Sequence, residues 1–287
     1  LAAPAKPHLW LMALFAVGAL LMRGAGCTFN DIVDREFDGR VARTATRPIP
    51  SGAVSVRAAA IFLALQLLLA LIILLQMNIF TIALGAGSLA LVATYPFMKR
   101  ITYWPQAFLG LTFNFGALMG YAAVTGVVAA PALILYAAGF FWTLGYDTIY
   151  AHQDIEDDMQ VGIKSTARRL GRWNRPFVAG AYGVCWLLLE AAFMAAGASG
   201  MAQAALVLPL LHGLWQLRVW KTDDPASALW RGYIAAMQND WPAAREGFTK
   251  GASALNQFTP AWQSRFARAY AETALEQGQL SIASTEV

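Results

Sequence analysis

The sequence predicts an all-α integral membrane protein, and three observations carry that prediction. Of 287 residues, 58% are hydrophobic and 13% charged, with a mean hydropathy of +0.48, whereas an average soluble domain carries roughly 25% charged residues. From Ala58 to Met98, and again from Ile101 to Tyr146, no residue is charged. The charges that do occur gather in alternate connections. This pattern excludes a soluble enzyme of ordinary composition and a disordered chain. The two cysteines, Cys27 and Cys185, each lie inside an apolar run and make no disulfide scaffold. The net charge of +4 sits in short loops, where it reads as topology, so the lipid bilayer is the expected partner and nucleic acid is not.

About seven spans are expected, near 8–29, 56–76, 79–98, 103–125, 131–152, 176–197 and 201–220, at about 20 residues per crossing. The first follows Leu1-Ala2-Ala3-Pro4, which has no charged n-region and does not read as a signal peptide. It reads as a cut, with a span expected upstream. Gln76-Met77-Asn78 and Thr125-Gly126 break the two charge-free stretches. Arg35, Arg40, Arg43, Arg47 and Arg57 crowd the first connection. Lys99 and Arg100 mark the third, and Lys164, Arg168, Arg169, Arg172 and Arg175 fill the fifth. The connections between them carry no charge. Short loops rich in Lys and Arg stay on the cytoplasmic side, which sets the N-terminus outside and the C-terminus inside.

From Lys221 onward the pattern changes, with six basic and seven acidic residues and no apolar run long enough to cross a bilayer. Segments 226–238, 242–255 and 260–276 read as short amphipathic helices, punctuated by Asn239-Asp240 and Thr259-Pro260. Residues 1–220 are therefore expected to be the membrane-embedded bundle. Residues 221–287 are expected to be a polar, cytoplasmic helical tail, atypical or fused, whose Trp/Tyr/Ala pattern resembles a tetratricopeptide-like helix pair.

The acidic residues carry the chemistry. Ten precede Lys221: four between Asp31 and Asp38, five between Asp147 and Asp158, and Glu190. Asn30, Asp34 and Asp38 are four apart and line one helical face, with Arg23 two turns deeper on it. Asp147, Asp154 and Asp158 form a second stripe, and both stripes end spans on the same side. Like charges at that spacing need compensation, and oxygen-only ligands without His or Cys indicate Mg2+. Such an ion completes its shell with water and substrate phosphate. Arg43, Arg47, Lys99 and Lys164 share that side and can meet phosphate oxygens, although each singly also satisfies the topology rule. A phosphorylated head above apolar spans implies a long hydrocarbon tail. Phe29, Phe113, Phe115, Phe141 and Trp142 could line its cavity or serve ordinary helix packing.

These residues resemble a known family. Arg23-Gly24-Ala25-Gly26-Cys27, then Asn30-Asp31-x-x-Asp34-x-x-x-Asp38, then Arg43-Thr44-x-x-Arg47-Pro48 through Gly52 resembles the first signature of the UbiA prenyltransferase superfamily. Tyr146-Asp147-Thr148-x-Tyr150-Ala151-x-x-Asp154 through Asp158, then Gly162-Ile163-Lys164-Ser165-Thr166, resembles the second. Tyr95-Pro96-Phe97-Met98-Lys99 matches a Tyr-x-x-x-Lys element. The extended forms resemble the 4-hydroxybenzoate polyprenyltransferase branch over roughly 8–220.

That resemblance implies a bundle of helices around a central cavity open sideways to lipid, missing a span before Pro7. It implies Mg2+-dependent transfer of a polyprenyl group from its diphosphate to the ring carbon ortho to the hydroxyl of 4-hydroxybenzoate, in ubiquinone biosynthesis. The catalytic set would be Asp34, Asp38, Asp147, Asp154 and Asp158. Asn30, Asp34, Asp38, Asp154 and Asp158 would hold Mg2+, and Arg43, Arg47 and Lys99 would contact the diphosphate. Asp147 and Tyr150 would position the acceptor, and Arg23 would bind its carboxylate or the near phosphate. The expected setting is a bacterial or mitochondrial inner membrane, with the site facing cytoplasm or matrix. Three rival readings are another acceptor within the superfamily, a truncated inactive member of it, and a cation path using intramembrane acids; the last predicts acids spread through the bilayer depth.

Overall fold

The computed structural model describes residues 9–39, 44–153, 155–160, 162–219 and 225–276. Helix α1 (Leu9–Asp38) is 30 residues long, about 45 Å at 1.5 Å per residue. That exceeds a hydrocarbon core of about 30 Å, so the acidic C-terminal third can stand clear of it. Helix α2 (Val56–Leu74) starts at Ser55, whose hydroxyl accepts from the Ala58 amide at 3.2 Å. Helix α3 (Ile79–Ile101) starts at Asn78, whose carbonyl accepts from the Thr81 amide at 2.9 Å. Helices α4 (Pro105–Phe113) and α5 (Phe115–Thr125) form one broken span, interrupted at Asn114 and closed by Gly126 at φ 75°. Beyond it come α6 (Ala130–Gln153), the short α7 (Ile155–Gln160) and α8 (Thr166–Leu170), and then α9 (Asn174–Ala195).

Among the described residues six helical segments are long and apolar enough to cross a membrane. The seventh expected span, near 201–220, is instead two short helices, α10 (Gly200–Ala204) and α11 (Val207–Val219). Pro209 explains the break. It lacks an amide hydrogen, and its ring would clash with the carbonyl four residues back, at Ala205, so it favours a helix start here, in the first turn of α11, over continuation from α10.

The spans are inside out by the standard of a soluble protein. On α2, Ile61, Phe62, Leu65, Leu68 and Ile72 are all exposed, while Asp34, Thr81, Thr148 and Thr166 are fully buried. An apolar surface of that extent is stable only against lipid, and the protein is an integral membrane protein. Helices α6 and α9 pack closely because Gly145 has no side chain: a Cβ there would lie 2.3 Å from the Tyr182 ring.

The two ends of the bundle are fixed by polar ties. At one end the Asn78 side chain donates to the Ala122 carbonyl at 2.8 Å, joining the start of α3 to the end of α5. At the other, Arg100 of α3 reaches the Val33 carbonyl of α1, and Gln106 of α4 accepts from the Thr166 amide of α8. The C-terminal ends of α1, α3 and α6 therefore share one end with the starts of α4 and α8.

After residue 224 come α12 (Pro225–Met237), α13 (Trp241–Gly251) and α14 (Pro260–Glu276), close to the amphipathic segments expected from the sequence. Trp230, Phe248, Trp262 and Phe266 form their core, with the Trp230 and Trp262 ring centroids 4.6 Å apart. Helices α12 and α13 touch through Gly232 and Gly247; a Cβ on Gly232 would stand 2.8 Å from the Phe248 nitrogen. The same core takes in Ala151, Ile155 and Ala167, and Gln238 donates to the Arg169 carbonyl at 2.9 Å. These three helices thus pack against the end of the bundle that bears the second acidic cluster.

Candidate active site

The site begins on the last turns of α1. Asp34 has no exposed surface, and both of its carboxylate oxygens are taken. Lys99 Nζ bonds Oδ2, and Arg100 Nη2 donates to Oδ1 at 3.0 Å. Arg47, from the connection that follows α1, donates to Asp31 Oδ1 at 3.1 Å and to Asp38 Oδ2 at 2.9 Å. Thr44 closes that connection by donating to the Asp38 carbonyl at 2.8 Å. Three carboxylates within two turns are thus each met by a cation, which offsets the mutual repulsion that this spacing imposes. Asn30 lies one turn before Asp34 on the same stripe and is partly exposed.

A second group converges on the same end. The Lys164 amide donates to the Lys99 carbonyl at 2.8 Å. The Lys164 ammonium donates to the Ile101 carbonyl at 3.1 Å and stands 5.7 Å from the Tyr103 ring centroid. Thr148 of α6 and Thr166 of α8 share a buried hydroxyl–hydroxyl bond of 2.9 Å. The Ile163 amide and Arg168 both bond the Asp158 carbonyl, at 2.8 and 3.3 Å. Asp158 therefore connects through 163–164 to Lys99 and on to Asp34. The chain segment 99–106 ties the two acidic regions together.

The remaining expected residues fall as follows. Asp147 lies on α6, partly exposed, and Tyr95 of α3 is within electrostatic reach of both Asp147 and Asp34. Tyr150 is exposed, its ring edge-on to Tyr146 at 6.3 Å. Arg23 is exposed on α1, and its charge reaches Tyr146. Arg43 and Asp154 lie outside the described residues. Among the described residues, no three acidic, His or Cys side chains already meet at one point.

Sequence reasoning missed Arg100, Gln106 and the Thr148–Thr166 pair as site neighbours. Beside Lys99, Arg100 reads as one more topological charge, and only its contact with Asp34 distinguishes it. Gln106 did leave a signal, as a lone side-chain amide near the start of a charge-free run.

Below this end, a cavity of about 380 Å³ is lined by Phe113, Asn114, Leu135, Gly139, Trp142 and Cys185, among others. Of the aromatics considered for such a lining, Phe113 and Trp142 do face it. Phe115 of α5 meets Tyr136 of α6 edge-on, which is helix packing, and Phe141 stands edge-on to its own chain neighbour Phe140 on α6.

Membrane helices that bring carboxylates, lysine and arginine to one end above an apolar interior define a class of membrane-embedded proteins with a polar site at the bundle rim. The chain belongs to the UbiA prenyltransferase family, whose model matches residues 1–236. It is 47% identical over 234 residues to the mitochondrial 4-hydroxybenzoate polyprenyltransferase of Homo sapiens, covering 80% of this chain and 62% of that protein. The chain spans about three fifths of the length of the curated relatives it matches. A UbiA homolog from Aeropyrum pernix K1 superposes with a TM-score of 0.64 at 23% identity, over 92% of this chain and 90% of that one. A UbiA homolog from Archaeoglobus fulgidus, solved with DMAPP and Mg2+, superposes with a TM-score of 0.60 at 17% identity, over 83% of this chain and 88% of that one.

Proposed function

We propose that this chain catalyses Mg2+-dependent transfer of a polyprenyl group from its diphosphate to the ring carbon ortho to the hydroxyl of 4-hydroxybenzoate, a step of ubiquinone biosynthesis. The observation that carries this reading is the buried Asp34 carboxylate, bracketed by Lys99 and Arg100, at the same bundle end as the Asp158 turn. The 47% identity to a relative of that name supports the acceptor. The donor set fits the metal: oxygen ligands alone, on an acidic stripe, suit a small hard cation.

Asn30, Asp34, Asp38, Asp154 and Asp158 would hold Mg2+, which supplies charge neutralisation for the departing diphosphate. Arg43, Arg47, Lys99 and Lys164 would donate charged hydrogen bonds to phosphate oxygens, favouring the extra charge that develops as the allylic C–O bond breaks. Asp147 and Tyr150 would orient the aromatic acceptor, and Arg23 would meet its carboxylate. The ring carbon then forms the new C–C bond to the cationic prenyl carbon. Its proton leaves to the diphosphate or a neighbouring carboxylate. The apolar helices exclude water, which would otherwise quench the cation to an alcohol. The cavity beside Trp142 is suited to the start of an isoprenoid tail.

We read residues 1–220 as membrane-embedded and 221–287 as a helical unit outside the bilayer, on the side of the acidic ends. That side would be the matrix in a mitochondrion or the cytoplasm in a bacterium. The test is direct. Detergent-purified protein with Mg2+, a polyprenyl diphosphate and 4-hydroxybenzoate should yield the prenylated acid by mass spectrometry. Asp34→Ala should lower the rate at least about 100-fold at unchanged expression. Normal turnover in that variant would refute the assignment.

A further inference from the structure

Asp34 presents one negative charge to two cations, and their surroundings differ. Arg100 Nη2 donates both to Asp34 Oδ1 and to the Val33 carbonyl, each at 3.0 Å. Its guanidinium carbon stands 4.6 Å from the Phe37 ring centroid and 5.8 Å from that of Phe97. Three of those partners lie within one turn of α1, and the fourth is one turn back on α3. The guanidinium is thus oriented from several sides, and its planar, weakly hydrated group suits stacking between rings.

Lys99 is held differently. Its ammonium bonds Asp34 Oδ2. Exposure does not separate the two cations, since the Lys99 side chain is a quarter exposed and that of Arg100 a third. The difference lies in the added carbonyl and ring contacts of Arg100. A compact, strongly hydrated ammonium on a four-carbon stem can turn without disturbing its backbone. That backbone is fixed, because the Lys99 carbonyl accepts from the Lys164 amide at 2.8 Å. When a polyanion arrives, moving Lys99 exchanges one carboxylate oxygen for a phosphate oxygen. Moving Arg100 would forfeit the Val33 bond and both ring contacts as well.

We infer that Arg100 is a positioning residue that keeps the Asp34 carboxylate fixed on α1, while Lys99 is the cation that turns from Asp34 to the substrate diphosphate. The inference rests on the prenyl-transfer reading and deepens it by dividing the labour between adjacent residues. Arg100 does not touch substrate; it acts through Asp34. Its loss should therefore be felt where Asp34 is used, in metal dependence, and the loss of Lys99 should be felt in diphosphate affinity.

The experiment measures binding of geranyl diphosphate to the full chain in detergent by isothermal titration calorimetry, across a range of Mg2+ concentrations. It compares wild type, R100A, R100K and K99A, with melting temperature recorded for each. R100A should raise the Mg2+ concentration for half-maximal binding at least about tenfold, as loss of a ligand-orienting partner does. Its affinity at saturating Mg2+ should stay within about threefold of wild type. R100K should fall between the two, since an ammonium keeps the charge but not the fork or the stacking.

K99A should do the reverse, weakening diphosphate binding about tenfold or more at saturating Mg2+, with little change in metal requirement. Should R100A melt at a much lower temperature, R100K carries the comparison. Equal effects of R100A and K99A on the same parameter, or an unchanged metal requirement in folded R100A and R100K, would overturn the role given to Arg100. Wild type that binds geranyl diphosphate without regard to Mg2+ would instead overturn the proposed function beneath it.

Discussion

A buried polar group survives only where its neighbours satisfy it, and the charged Asp34 and the neutral Thr148 show two versions of that rule. Asp34 is satisfied by cations on α3, so its polarity is tied to helix assembly as well as to chemistry. Thr148 is satisfied by Thr166 through a bond of 2.9 Å with both residues fully buried. Thr148→Val keeps the shape but leaves the Thr166 hydroxyl without that partner. It should destabilise the α6–α8 junction by about 1–2 kcal/mol, read as a lowered melting temperature in detergent. Full stability of the variant would mean the hydroxyl pair contributes nothing. The Asp34 stripe was legible in sequence because spacing of four on a helix is visible without coordinates. Arg100 and the threonine pair were not, because their meaning comes from contacts 66 and 18 residues apart.

For whole elements, the charge-free stretches gave most spans to within a few residues, since a bilayer demands long uncharged helices. The exception is 201–220, where hydropathy alone ignores Pro209, and the segment splits into α10 and α11. The helices after residue 224 were also legible, from amphipathic spacing and turn residues, but their docking against Ala151, Ile155 and Ala167 was not. Nothing in local sequence says which surface an amphipathic helix will cover. Their cohesion depends on the contact at Gly232. Gly232→Val would press a branched side chain into the α13 backbone at Phe248 and Ala244. It should cost about 2 kcal/mol or more and make 225–276 cleave faster under limited trypsin. An unchanged cleavage rate would show that α12 and α13 do not pack at this contact.

Across the molecule, two chain regions more than a hundred residues apart in sequence deliver their acidic helix ends to one end of an apolar bundle. Alternating loop charge forecast that shared side, and the ties from Asp34 through Lys99 and Lys164 to the Asp158 turn agree with it. The way the ends are joined, through 99–106, was not legible, because those contacts arise only when α3, α4 and α8 meet. Under the proposed function the two ends share one diphosphate, which implies energetic coupling between them. A double-mutant cycle on Asp34→Asn and Asp158→Asn measures it, with Mg2+-dependent geranyl diphosphate affinity as the readout. Each single change should weaken binding at least about tenfold, and the double variant should be far less impaired than the sum of the two free-energy losses. Strictly additive losses, or full affinity in either single variant, would contradict a common site.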